Sequence, residues 1–369
     1  MKNRKQLKSL LLIAGIVVFI LIIISIIFIV MTGNKKEKQL RVGFIITGTT
    51  TEQGWNNLHY EGIKEACNEL DAQLFVKENV KENEGKCEQA IRELAEDNMD
   101  IIILSSYGYV AEIADVTKEY PDITFYTSSF DHGVEGIKSY FARMYQARYL
   151  TGIIAGMQTE SNTIGYVAAM PNCEVNRGIN AFTLGVKRVN PDAKVVVAWS
   201  DSWDDAAKEK ELATNLIDEM NVDVITYHQN QPNIVEVAEQ KGIESIGYHE
   251  ALEGLSDNFL TAAEFHFGST YREILLDYSR GKSDAVDTYW IGIEQDAVGL
   301  TEYSPKVTQE IIAIIEEAKK EMMNGYDVFS GIIYDTEHTI RCNKGETISD
   351  EQLLKYLDWY VEGVEFYEE

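Results

Sequence analysis

From Leu40 onward, short apolar runs alternate with longer segments of helical period. Arg41-Val42-Gly43-Phe44-Ile45-Ile46 has the pattern of a strand buried on both faces, and a helical stretch follows over 56–70. Strand-like runs recur at Gln73–Val76, Asp100–Ser105 and Ile123–Thr127, with helical segments between them. A second series follows at Thr163–Ala169, Lys194–Trp199, Val222–Tyr227 and Glu244–Tyr248. Regular β-α alternation predicts parallel sheets covered by helices, and two such series predict an α/β protein of two doubly wound lobes. A helix over Tyr145–Met157 is expected to carry the chain from the first lobe to the second. Asn258–Phe267 and a helix over Ser269–Arg280 are expected to return it, and Tyr289–Glu294 to cross once more. Helix Pro305–Asn324 and strands Phe329–Tyr334 and Thr339–Cys342 would then finish the second lobe. The first lobe is thus expected over 40–144 and 258–288, the second over 145–257 and 289–345, and a C-terminal helix over 346–369. Three crossings make a hinge, and open α/β sheets bind ligands beyond the carboxyl ends of their strands, so the cleft between the lobes is the expected site.

Before the body, Leu10 through Met31 is a 22-residue low-polarity run behind a basic flank, Lys2 to Lys8. As a helix it would be about 33 Å long, enough for a bilayer core of about 30 Å. It exceeds a secretory h-region, no A-x-A site follows it and no cysteine lies near it, so an uncleaved transmembrane signal-anchor is expected. Residues 1–9 would form a cytoplasmic tail, 32–39 a linker, and the globular part would stand outside the cell.

The 369 residues are 45% apolar and 25% charged, a globular composition with room for two lobes. The formal net charge is −27, although residues 1–41 are basic. So acidic a body is repelled by nucleic acid and by anionic lipid, which excludes a nucleic-acid binder. Cys67, Cys87, Cys173 and Cys342 form no CxxC spacing, so no zinc site is expected. Cys67 and Cys87 lie on successive expected helices, where a disulfide and a pair of free packed thiols are both open readings.

The sequence contains no GxGxxG after a strand, no GxxxxGK[ST], no GxSxG and no HExxH. The candidate chemistry lies instead in loops after strands. The first, Gly48 to Asn57, offers Trp55 and Asn56 at a helix N-terminus, suited to stacking on and hydrogen-bonding a flat heterocycle. A capping loop with Trp55 packing between the lobes explains the same residues. Trp199-Ser200-Asp201-Ser202-Trp203-Asp204-Asp205 follows the second strand of the second series; Trp199 continues the strand, Trp203 is the candidate stacking ring, and Asp204 or Asp205 fits a helix cap. His228-Gln229 and Tyr248-His249 follow the next two strands, and supply donors and acceptors without fixed charge.

These motifs, in this order, resemble those of the basic membrane protein, or PnrA-like, family of ABC-transporter solute-binding proteins. The family's first loop, of the form S-F-N-Q-x-x-W-E-G, is similar to Gly54-Trp55-Asn56-Asn57-Leu58-His59-Tyr60-Glu61-Gly62. Its aromatic followed by D-P-A-K-x-K-E is similar to Trp203-Asp204-Asp205-Ala206-Ala207-Lys208-Glu209-Lys210-Glu211. Tyr289 to Glu294, Val298 to Leu300 and Ser304 to Val307 match the family's style. The resemblance implies a type I periplasmic-binding fold, an ABC permease as partner and a purine nucleoside or nucleobase as ligand. It further implies Trp203 stacked on the base and Asn56 hydrogen-bonded to it. Three family positions differ here: an aspartate is replaced by His249, another by Ser128 or its neighbour, and a lysine falls near Glu264 or Phe265. Aspartates suit ribose hydroxyls, so these exchanges favour a bare nucleobase or another flat heterocycle. The family's lipid-bearing cysteine is also missing.

Three functions fit this reading: solute capture for a permease, ligand sensing through a membrane partner, and nucleoside hydrolysis. The missing nucleophile and metal motifs count against the enzyme, and no cofactor is expected.

Overall fold

The computed structural model describes residues 22–23, 39–52, 54–82, 84–128, 134–249 and 251–368. The chain divides into Met1–Leu40 and Arg41–Glu369, and the second unit holds the whole α/β body. The expected anchor Leu10–Met31 lies outside the described residues, apart from Ile22 and Ile23. Among the described residues, no helix is long and apolar enough to cross a membrane.

The first series is β1 (Arg41–Ile45), α1 (Trp55–Glu69), β2 (Gln73–Lys77), α2 (Lys86–Glu96), β3 (Ile101–Leu104), the short α3 (Val110–Ile113), β4 (Thr124–Ser128) and β5 (Ile137–Ala142). The second is α4 (Met144–Gln158), β6 (Thr163–Ala168), α5 (Cys173–Val189), β7 (Lys194–Trp199), α6 (Ala206–Met220), β8 (Val224–His228), α7 (Asn233–Lys241), β9 (Glu244–His249) and β10 (Phe259–Phe265). Then come α8 (Phe267–Ser279), β11 (Thr288–Ile291), β12 (Val298–Leu300), α9 (Gln309–Met323), β13 (Ile333–Tyr334), β14 (Ile340–Cys342), α10 (Asp350–Lys355) and β15 (Val364–Phe366). The strands form sheets ordered β11-β5-β4-β3-β1-β2 and β12-β10-β9-β8-β6-β7-β15. All pairings in them are parallel except β10 with β12. Strands such as Ile101–Leu104 are buried at every position, which explains their unbroken apolar sequence.

Two placements differ from the sequence expectation. Phe259–Phe265 pairs with β9 and β12, so it belongs to the second sheet, and the chain returns after this strand rather than with it. Thr288–Ile291 pairs with β5, so it closes the first sheet before the last crossing. Alternation identifies a strand but not its neighbours; here the small Gly247 and Ala262 set the fit, since a Cβ on Gly247 would meet that of Ala262 at 2.8 Å. The expected C-terminal helix is also mostly absent: only Asp350–Lys355 is helical, and Val364–Phe366 pairs with β7 as the edge strand of the second sheet. Two buried asparagines on α5 hold that tail extended. Asn176 donates to Leu357 O at 3.0 Å, while Asn180 donates to Trp359 O at 2.9 Å and accepts from Val361 N at 3.0 Å.

The three crossings are tied to one another. Arg143, between β5 and α4, donates to Trp290 O at 2.9 Å, lies 4.0 Å over the Trp290 ring and pairs with Asp350. His266, between β10 and α8, donates its backbone N–H to Ala297 O at 2.9 Å, joining the second crossing to the third. All four cysteines are free thiols, and Cys87 sits in the first-lobe core with Ile45, Ile91 and Leu104. Burial pushes the Cys67 thiol up to about 12.

Helix α4 is buried along most of its length and crosses α5 at glycines. A Cβ on Gly152 would lie 2.0 Å from Phe182 O, and one on Gly185 2.0 Å from Tyr149 O. Gly185→Ala should therefore force the helices apart and cost about 1–3 kcal/mol or more. Thermal melts of the variant read this, and an unchanged midpoint contradicts so close a crossing.

Candidate functional site

The carboxyl ends of both sheets meet at the hinge, where several loops supply the side chains. Gly54 starts α1 with φ 87°, a left-handed conformation that glycine adopts without strain. A Cβ there would stand 3.6 Å from Asn230 O in the opposite lobe. Trp55 follows, half-buried, with Nε1 donating to Ser105 O at 2.8 Å. Its ring meets Phe267, Phe265, His249 and Phe141 at centroid distances of 5.4, 6.0, 6.2 and 6.4 Å. Phe265 is buried and stacks on Phe267 at 4.9 Å. Trp55, Phe265 and His249, from three separate parts of the chain, thus share one aromatic seam, and its geometry fits the packing role left open for Trp55.

The remaining candidates are distributed around this seam. The Asn56 side chain is held within its own loop, accepting from Thr47 Oγ1 at 3.1 Å and donating to Glu52 Oε2 at 3.3 Å. Ser128 is buried at the end of β4, opposite Tyr140 of β5. Trp203 is half-buried, its centroid 5.9 Å from that of His228, and its carbonyl accepts from Asn230 N at 3.2 Å. Asp205 caps α6 by accepting from Lys208 N. Gln229 is fully buried and donates to Ser200 Oγ at 2.7 Å.

The two histidines of the second lobe are neutral. His249 has φ 82°, which is strained for a residue with a Cβ, and its Nε2 donates to Gln229 O at 3.1 Å. That bond fixes the tautomer and leaves Nδ1 as an acceptor. Burial, then the neighbouring His228, push its pKa down to about 3. His228 bonds Tyr248 OH through Nε2 at 2.9 Å; burial lowers its pKa against the opposing pull of Glu174. Buried polar atoms here without a hydrogen-bond partner include Ser105 Oγ, His228 Nδ1, Gln229 Oε1 and His249 Nδ1. An unmet buried polar atom costs about 1–3 kcal/mol, so such a group is poised to gain from a polar ligand.

Phe141 and Glu174 belong to this junction but were not candidates from sequence. Glu174 follows β6, at the same sheet edge as the other loops, and that position was its one signal. Among the described residues, no group of three or more His, Cys, Asp or Glu is placed to hold a metal. Surface hollows of about 640 and 410 Å³ lie on α1 and between α1 and α8. The larger is lined by Glu61, Lys64, Glu65, Asn68 and Glu69, a charged helix face without the apolar wall of a ligand site.

Histidine titration sets two limbs of stability. The folded pKa of His249 lies below its unfolded value, so the unfolded chain binds more protons in acid and stability falls as pH drops below about 6.5. His266 is the reverse: Glu264 at 3.0 Å and Asp296 at 3.1 Å hold it as the imidazolium, with its pKa raised to about 9. Its contribution is complete below about 6.5 and is lost as pH rises through about 9. Melting midpoints measured from pH 5 to 10 should peak near neutrality. His249→Asn should flatten the acid limb and His266→Asn the alkaline limb; limbs unchanged in both variants would exclude these assignments.

Comparison with known proteins adds independent findings. A profile described as ABC transporter substrate-binding protein, PnrA-like, matches residues 39–329. A purine-binding protein of Brucella abortus is 30% identical over 336 residues, covering 89% of this chain and 94% of that protein. A putative ABC transporter glucose-binding protein of Haloferax volcanii is also 30% identical, covering 90% of this chain and 82% of its own. The crystal structure of a transcriptional activator of the comK gene from Bacillus halodurans superposes with a TM-score of 0.69 at 23% identity, covering 78% of this chain and 98% of that one.

Proposed function

Because the chain belongs to the PnrA-like family of ABC transporter substrate-binding proteins, we propose that it captures a purine nucleobase or nucleoside in the inter-lobe cleft and delivers it to a membrane ABC permease. The observation that carries this reading is the pairing of a half-buried indole, Trp203, with neutral polar groups that have open atoms, namely His228, Gln229 and His249. A flat heterocycle needs a stacking face and directional donors and acceptors, and neutral imidazoles supply both kinds without a fixed charge. Asn56, Trp55, Phe265 and Ser128 complete the proposed wall, with Asn56 released from Glu52 when ligand binds. The name of the Brucella relative supports a purine. The name of the Haloferax relative keeps a hexose as the second reading, since a pyranose also lies against an indole. In this account the Leu10–Met31 segment anchors the protein, with the body facing outward. The protein binds its solute without transforming it. Ligand sensing through a membrane partner uses the same closure of the lobes and differs only in what reads it.

Purified protein should melt at a higher temperature with adenine, hypoxanthine or their nucleosides, by mass action, and should be unmoved by glucose. Trp203→Ala should weaken purine binding roughly 5- to 150-fold, taking about 1–3 kcal/mol for one base–aromatic stack, and Trp203→Phe should recover part of it. Calorimetric titration checks both. Binding of glucose alone would replace the purine reading with the hexose one, and wild-type purine affinity in Trp203→Ala would remove this residue from the site.

A further inference from the structure

We propose that Glu174 is the specificity-determining residue of the cleft: its carboxylate accepts a hydrogen bond from a ring or amino N–H of the bound base, so that the protein selects ligands offering a donor at that edge. This rests on the purine reading above.

Glu174 is held in place from below. Asn172 caps α5, its Oδ1 accepting from Glu174 N at 3.0 Å and from Val175 N at 3.1 Å, which fixes the first turn at the carboxyl edge of the sheet. The side chain is 23% exposed, so three quarters of it is shielded from water. Shielded carboxylates are normally paired or hydrogen-bonded. This one meets His228 Nε2 at 3.8 Å, an ion-pair rather than a hydrogen-bond distance, and that neutral imidazole is already engaged by Tyr248 OH at 2.9 Å. Arg177, one turn further along α5, is directed elsewhere, donating to Leu353 O at 2.8 Å and to Cys173 O at 3.3 Å. The guanidinium of Arg148, also buried, donates to Thr226 Oγ1 and Tyr227 O. Both buried guanidinium groups favour a negative charge here.

The second element is position. His228 neighbours both Trp203, at 5.9 Å between ring centroids, and Glu174, at 3.8 Å. A base lying on the Trp203 indole would turn one edge toward the Glu174 carboxylate. A nitrogen-bound proton there completes a charge-assisted bond, which is stronger than the neutral bonds open to His249 and Gln229. An edge with only lone pairs, or with an N-methyl group, would face the carboxylate unfavourably and be rejected, because discrimination is sharpest where a buried polar group is left unmet.

The test is calorimetric titration of the full-length protein and its Glu174→Gln and Glu174→Ala variants with hypoxanthine and with its separate N-methyl derivatives. In the wild type, at least one N-methylation should weaken binding by ten-fold or more. Glu174→Ala should weaken hypoxanthine about 10- to 100-fold and abolish the penalty for that methyl group, while Glu174→Gln, which keeps an acceptor oxygen, should fall between. Ligand-free melting midpoints should change little, since the carboxylate's contact with the neutral His228 is a long 3.8 Å. Unchanged hypoxanthine affinity in both variants, or equal losses for every derivative with a lowered midpoint, overturns the assignment and makes Glu174 structural. A wild type that binds neither hypoxanthine nor adenine overturns the purine reading itself, and this inference with it.

Discussion

The structure turns on the contact between Trp55 and the phenylalanines at the second crossing. Phe265 ends the last parallel strand of the second sheet, Phe267 begins the helix that returns to the first lobe, and the edge of Trp55 meets both. One indole, fixed by its bond to Ser105 O, therefore joins the first loop of one lobe to the final strand of the other. Aromatic pairs in this geometry add about 0.5–1.5 kcal/mol beyond the area they bury. Around this seam the crossings are held by Arg143 on Trp290 and by His266 on Ala297 and Asp296. Strand ends of the two sheets consequently face one another, which is the condition for a ligand to touch both lobes.

That arrangement accounts for the electrostatic character of the cleft. The body is strongly acidic, yet the residues at the strand ends of the second lobe include imidazoles, an amide and an indole beside the Glu174 carboxylate. Burial keeps His249 and His228 neutral, and the bond from His249 to Gln229 O decides which ring nitrogen is open. Surface acid repels polyanions, while the neutral groups at the strand ends, beside the Glu174 carboxylate, offer directional donors and acceptors.

Much of the fold was legible in the sequence because buried parallel strands are nearly continuous apolar runs. Arg41 to Ile46 and Asp100 to Ser105 announce themselves in this way. The sheet that a strand joins is a tertiary matter, so Phe259–Phe265 and Thr288–Ile291 were placed one crossing out of step. The tail after Ser349 has a capping box and helix formers, but it is drawn out by Asn176 and Asn180, nearly two hundred positions earlier. For the candidate site, position after a strand selected Trp203, His228, Gln229 and His249 together. The same rule applied to the loop after β6 leads to Glu174, where Pro171 and Asn172 read as an ordinary turn and cap. No sequence signal conveys that Asn56 is engaged by Thr47 and Glu52, or that His249 sits at positive φ.

The central claim is that the strand ends of the two lobes enclose a flat base beside Trp203. A crystal structure of the protein grown with hypoxanthine tests it most directly. The account predicts the base against the Trp203 indole, with polar contacts to the His228–Gln229 and His249 loops. A base seated instead in the hollow between α1 and α8, or a Trp203 ring turned into the core of its lobe with the ligand elsewhere, would contradict it.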